Sequence, residues 1–218
     1  SAPALESMPT LPPPCTLELR ALQCNRNDAL LFTDLNCLLK AGETLYVRGA
    51  NGSGKSSLLR MLAGLAQPDA GAVLWCGTET LTLGRDYAAV LQYVGHHNGI
   101  KLDLSARENL DFYQALGGRH DAGMVVTALE RTGLTTCAAM PARRLSAGQR
   151  RRLALARLLL WHAPLWLLDE PLTSLDDDGR TLFRGLMQRH TTGGGMIVMA
   201  THEADMGANG PHRELLLQ

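Results

Sequence analysis

Apolar and polar positions follow two rhythms along the chain. Thr16 to Leu22 alternates with the period of two that marks a half-buried strand, and Asn36 to Leu39 gives a second short strand before the Lys40-Ala41-Gly42-Glu43 turn. Thr44 to Val47 is a further strand-like run, separated by a glycine-rich segment from the helix-like run Leu58 to Leu65. Gln67 to Gly71 reads as a turn, and Ala72 to Cys76 and Val90 to Val94 as strands. After a loop over 95–104 the rhythm becomes helical. Ser105-Ala106-Arg107-Glu108 is a capping box that starts a helix through about Leu116, and helical stretches follow around Asp121 to Arg131 and Thr135 to Ala139. A longer helix runs from Leu145-Ser146-Ala147-Gly148-Gln149 to about Leu160. Leu165 to Leu168 and Met196 to Ala200 are short, wholly apolar runs of the kind buried strands show. Asp176 to His190 is helical between them, Gly193 to Gly195 breaks that helix, and Glu214 to Gln218 supplies a last strand. Nothing repeats internally. The pattern predicts an α/β fold: a mixed core sheet, edge strands from the N-terminal part, and a helical subdomain over about 95–160 inserted in the core.

Composition narrows the partners. With 218 residues, 45% of them hydrophobic, the chain can bury the core of one domain. Its formal net charge of zero argues against a generally basic surface, so no nucleic-acid partner is expected. The five cysteines are odd in number and lack C-x-x-C spacing, which predicts reduced thiols in a cytosolic protein. The most apolar stretch, Leu153 to Leu168, is interrupted by Arg157, His162 and Pro164 and is not a membrane span. Residues 1–15 carry five prolines without a basic start or apolar core, and read as a disordered lead rather than a signal peptide.

The glycine-rich segment carries the chemistry. Gly49-Ala50-Asn51-Gly52-Ser53-Gly54-Lys55-Ser56-Ser57 fits the G-x-x-x-x-G-K-[ST] phosphate loop, between a strand and a helix as that motif requires. The glycines let backbone N–H groups turn toward an anion, the helix presents its positive end, Lys55 adds a point charge, and Ser56 offers its hydroxyl to Mg²⁺. A second pair of functional groups closes the apolar strand at Asp169-Glu170. There Asp169 is suited to hold Mg²⁺, directly or through water, and Glu170 to polarise the attacking water. Ser146, Gly148 and Gln149 open another helix that can face a phosphate. With one phosphate loop already present, this second site has most use on another subunit's nucleotide, which predicts a dimer.

Taken in order, Gly49 to Ser56, Leu145 to Gln149, Leu165 to Pro171, Ser174-Leu175-Asp176 and Thr201-His202 resemble the nucleotide-binding domain of ABC transporters, from about residue 16 to the end. The resemblance implies a P-loop NTPase core of ABC ATPase type that binds ATP and Mg²⁺. It further implies a head-to-tail dimer in which each ATP lies between the phosphate loop of one copy and the Ser146 helix of the other. It assigns Asp176 to coupling across that dimer and His202 to sensing the γ-phosphate.

Two positions depart from the family pattern. Arg26 stands where these domains usually carry an adenine-stacking aromatic; a guanidinium can stack on a purine, and Arg26 can equally be a solvated turn residue. His96 stands where a glutamine normally meets Mg²⁺ and water, and keeps the capacity to donate or accept there, with a pH dependence that glutamine lacks. Val94-Gly95-His96, Gly99-Ile100-Lys101, Leu104 to Leu110 and Leu145 to Arg152 resemble the ATP-binding subunits of cytochrome c maturation haem exporters. That resemblance implies the integral membrane subunits of the cytochrome c maturation complex as partners, haem delivery or release of a haem-loaded chaperone as the work, and a peripheral place on the cytoplasmic face of the bacterial inner membrane. No direct binding of haem is expected, because His96-His97 is too weak a signal and there is no Cys-Pro or C-x-x-C-H. The alternatives are an ABC subunit for another cargo and a soluble, non-transport ABC ATPase. Arg150 to Arg152 reads as a solvated helix face, with a docking patch as the alternative.

Overall fold

A computed structural model describes residues 15–26, 29–202 and 210–217. Most of the expected proline-rich lead, and Gln218 of the expected last strand, lie outside the described residues. In chain order the elements are β1 (Thr16–Arg26), β2 (Ala29–Lys40), β3 (Thr44–Gly49), α1 (Lys55–Leu62), β4 (Ala70–Trp75), β5 (Thr78–Glu79), α2 (Thr80–Leu83) and α3 (Arg85–Val90). They continue with β6 (Leu91–Val94), α4 (Ala106–Leu116), α5 (Ala122–Arg131), α6 (Ala147–Ala156), β7 (Leu165–Asp169), α7 (Asp177–Thr192), β8 (Met196–Ala200) and β9 (His212–Leu217).

The strands divide into two sheets. An antiparallel sheet runs β2-β1-β4-β5, and a parallel one runs β6-β7-β8-β3-β9. The mixed core sheet expected from the sequence is thus parallel throughout, its antiparallel members standing apart as a second layer. β1 and β2 are longer than their alternation showed because register shifts break the pairing at Leu19/Leu22 and again near Cys24. Ala21 and Asp34 take positive φ at these bulges, and Asn36 Oδ1 accepts the Ala21 N–H at 2.8 Å, so pairing continues where the period of two stops.

Side-chain alternation along β7 builds the core. Leu165 and Leu167 face a cluster with Leu17, Leu45, Leu58 and Val198, between the two sheets and around α1. Trp166 and Leu168 face the other way, onto Leu155, Leu158 and Phe183 of the helices beyond. Burying Leu167 or Leu168 completely stabilises the fold by about 2 kcal/mol each. Between β6 and β7 the described chain is helical, and Leu110, Val125, Leu129 and Leu153 form a third cluster there.

Four local expectations are corrected. Thr135 to Ala139 makes a single 3₁₀ turn over Thr135–Cys137, and α6 ends at Ala156, continuing as a 3₁₀ turn rather than an α-helix to Leu160. Val90 closes α3 instead of opening a strand; four-residue α2 and six-residue α3 are too short to display a helical period. The expectation of five reduced thiols also fails, because Cys15 and Cys76 are disulfide-bonded, leaving Cys24, Cys37 and Cys137 free. Antiparallel pairing of Leu17 with Trp75 brings the two sulfurs together at the start of β1 and the end of β4, a neighbourhood that spacing along the chain cannot reveal.

Candidate nucleotide site

Because β3, β6, β7 and β8 are parallel, their carboxyl ends reach the same edge of the sheet, and the segments leaving that edge share one cleft. The cleft has a volume of about 630 Å³. Its wall includes Asn51, Gly52, Gly54, Lys55, Ser56 and Ser57 after β3, and His96 after β6. Asp169 and Glu170 enter from β7 and His202 from the exit of β8. Arg26 reaches the cleft from the end of β1, with Leu31 of β2 beside it.

The loop after β3 is built for backbone approach. At Gly49, φ is 152° and a Cβ would sit 2.4 Å from Ser53 Oγ and 2.5 Å from the Leu217 carbonyl oxygen, so only glycine fits. Gly54 caps α1 in the left-handed conformation, φ 97°, with its Cα face against Phe32. Lys55 is buried, and its Nζ donates to the carbonyls of Gly49 at 2.8 Å and Ala50 at 2.9 Å. The ammonium therefore lies within the curve of the loop, held by two acceptors that a phosphate can replace. Ser53 Oγ is buried without a hydrogen-bond partner.

Opposite the loop, Asp169 is almost fully buried at the end of β7, and Glu170 follows in a left-handed conformation, φ 49°. For a non-glycine residue this backbone costs about 1–2 kcal/mol. Hydrogen bonds hold it: Glu170 N–H donates to Ala200 O at 2.9 Å, and Arg151 Nη2 donates to Glu170 O at 2.8 Å. Glu170 Oε1 is buried and accepts no aligned hydrogen bond, although His202 Nε2 approaches it to 3.2 Å.

Gly49, Ala50 and Ser53 belong to the loop without lining the cleft, and four further expected residues lie elsewhere. Ser146, Gly148, Gln149 and Asp176 are not in the wall of the cleft. Ser146 and Gln149 form a capping box at the start of α6, Ser146 Oγ accepting from Gln149 N and Gln149 Oε1 from Ser146 N. Asp176 caps α7 through Gly179 N–H and pairs with Arg152, and these contacts, the Arg152 one foremost, hold its carboxyl below the usual carboxylate range. Gly148 packs close to the Ser174 carbonyl, where an added Cβ would stand at 3.1 Å.

The family model for "ABC transporter" matches residues 32–173. The chain belongs to the ABC transporter family. It is an ATP-binding subunit of that family, an ABC-type ATPase. A curated relative from Nitrosospira multiformis, "Cytochrome c biogenesis ATP-binding export protein CcmA", is 50% identical, with 86% of this chain and 92% of the relative aligned. Proteins of the same name from Nitrosomonas europaea and Escherichia coli K12 are 47% and 44% identical, aligned over 86% of this chain and 88% and 89% of their own lengths. Among solved structures, an ABC transporter ATP-binding protein of Pyrococcus furiosus shares the fold, with a TM-score of 0.79 at 20% identity over 92% of this chain and 97% of that one.

Three residues of this ABC ATPase escaped the sequence. Leu31 and Thr173 line the cleft, and Arg151, grouped with a solvated basic face, is buried at 3% exposure. A signal for Arg151 was present: it stands four residues before Leu155 and seven before Leu158, both buried, which puts it on the inward stripe of its helix. Among the described residues no helix is long and apolar enough to cross a membrane.

Proposed function

We propose that this ABC ATPase binds Mg-ATP in the cleft described above and works as one of two copies that close on two nucleotides. In this scheme it drives the integral membrane subunits of a cytochrome c maturation complex from the cytoplasmic face of the bacterial inner membrane. The observation that carries the site is the meeting of the phosphate loop, Asp169-Glu170, His96 and His202 in one cleft from which Ser146, Gly148 and Gln149 are absent. Residues left outside their own cleft are suited to the cleft of a second copy. What favours a part in cytochrome c biogenesis is the name shared by relatives 44–50% identical along most of their length, and haem handling is the finer reading built on it.

The residues have distinct tasks. Backbone N–H groups of Asn51 to Ser57 and the start of α1 bind the β- and γ-phosphates, with Lys55 exchanging its carbonyl acceptors for phosphate oxygens. Glu170 orients a water in line with the γ-phosphorus and takes its proton as the new P–O bond forms and the bond to the bridging oxygen of ADP breaks. His202 and His96 hydrogen-bond to the γ-phosphate or that water. Ser56 and Asp169 are hard oxygen donors in the same wall, which fits Mg²⁺, an ion that usually takes one or two protein oxygens and completes its shell with phosphates and water. Bound there, it would neutralise developing phosphate charge. Arg26 is placed to stack on the base.

The test is an affinity capture of Glu170→Gln from native membranes in detergent with Mg-ATP, followed by mass spectrometry and a visible spectrum. Membrane subunits together with a haem Soret band support the proposal. Membrane subunits without haem would move the cargo elsewhere, and soluble partners alone would overturn the membrane assignment.

A further inference from the structure

Arg151 occupies the middle of α6, beneath the cleft rather than in its wall. Its guanidinium has five N–H donors, and each finds an acceptor. Nε donates to Pro171 O at 3.1 Å, and Nη2 to Asp169 O at 2.9 Å and Glu170 O at 2.8 Å. Nη1 turns the other way, to Gly95 O at 3.2 Å and Asn98 Oδ1 at 3.0 Å. One planar group thus grips the last residue of β7, the two residues that follow it, and the loop that bears His96. All five acceptors are neutral, so the buried charge has no direct counter-ion. Burial pulls its pKa down to about 10, against the opposing fields of Asp169 and Glu170, and it stays charged at neutral pH.

A second arginine of the same helical run grips the same loop. Arg157 donates to Asn98 O at 3.3 Å and lies 3.7 Å above the Tyr113 ring, whose hydroxyl donates to Gly99 O. The loop after β6 is therefore fastened at two points, to α6 by Arg151 and to the 3₁₀ turn that continues it by Arg157, whereas Asp169-Glu170-Pro171 is fastened to α6 by Arg151.

We propose that Arg151 is a positioning residue for ATP hydrolysis: it holds Glu170 in its left-handed backbone conformation and ties His96 to the same frame, so that both face the γ-phosphate together. The proposal rests on the nucleotide site of the preceding section. Glu170 departs from ordinary backbone geometry, and the carbonyl of that same residue is one of Arg151's acceptors. Without the guanidinium, the peptide after Glu170 is free to relax and carry the carboxylate out of line. Because Ser146, Gly148 and Gln149 sit at the start of the same helix, the contact with a second copy's nucleotide and the alignment of Glu170 become parts of one rigid element. Lysine cannot replace the fork, since it offers three donors from one point.

The test uses the full chain with Arg151→Gln and Arg151→Lys, read by ATP binding, steady-state hydrolysis and thermal melting. Displacing a catalytic group by about an ångström costs on the order of a hundredfold in rate, so Arg151→Gln is expected to lower kcat by about that factor. ATP affinity is expected to stay within about threefold, because the phosphate loop is untouched by Arg151, and Arg151→Lys to fall between. The decisive readout is the double variant: in the Glu170→Gln background, Arg151→Lys or Arg151→Gln should cost far less than it does in the parent, since of the two groups it positions only His96 remains. A loss that multiplies with that of Glu170→Gln, a kcat within twofold of the parent, or an equal loss of ATP affinity would overturn the proposal. If Arg151→Gln does not fold, Arg151→Lys carries the same comparison. Normal hydrolysis by Glu170→Gln alone would instead remove the site assignment, and this proposal with it.

Discussion

His202 Nε2 stands 3.2 Å from Glu170 Oε1, joining the exit of β8 to the end of β7 across the edge of the cleft. The histidine is 48% exposed and the carboxylate 17%, so the imidazole is the more accessible partner of the two. If Glu170 is the base, Glu170→Gln retains ATP binding while turnover falls by about two orders of magnitude or more. His202→Ala is expected to lower kcat by at least about tenfold with little change in ATP affinity, as loss of a transition-state contact does. Single-turnover hydrolysis beside equilibrium ATP binding checks both; an unchanged rate in Glu170→Gln rejects its role as base.

Lys55 gives a prediction about binding rather than rate. Its Nζ is drawn into the phosphate loop by Gly49 O and Ala50 O, which puts the charge inside the curve of the loop. Lys55→Ala removes a charge-assisted contact and is expected to weaken ATP binding by about tenfold to a hundredfold or more. Titration with a fluorescent ATP analogue measures this, and parental affinity would contradict the placement of phosphate there.

His190 predicts a pH dependence of stability away from the cleft. Its ring stacks on Trp166 with centroids 3.9 Å apart, and burial lowers its pKa from 6.5 to about 4. The folded protein thus prefers neutral His190, while the unfolded chain takes up a proton near pH 6.5. The stabilisation is complete above about pH 6.5 and is lost as pH falls from there through 4, amounting to about 3 kcal/mol. His190→Phe keeps the stack and removes the proton. Denaturant unfolding at a series of pH values should show the parent losing stability relative to this variant over that window, and parallel curves would refute the assignment.

Much of the site was legible because its chemistry demands particular residues in contiguous runs. The phosphate loop, Asp169-Glu170 and His202 each follow a strand, and parallel strands deliver such segments to one edge. The strand lengths were less legible, since β1 and β2 continue through bulges, the first of which reverses the alternation of β1 between Leu19 and Leu22. Cys15 and Cys76 meet only because β1 pairs with β4, a contact with no local signature. Arg151 was hidden for a different reason. A charged residue between Arg150 and Arg152 looks solvated until its acceptors, all on other segments, are in place.

A nucleotide held between two copies is the centre of the proposed mechanism, because Ser146, Gly148 and Gln149 do not line the cleft of their own chain. Sedimentation of Glu170→Gln with and without Mg-ATP, repeated with Ser146→Arg added, tests this directly. ATP is expected to convert Glu170→Gln to a dimer, and the added arginine to leave a folded monomer which still binds ATP. An ATP-induced dimer that persists with Ser146→Arg would contradict it.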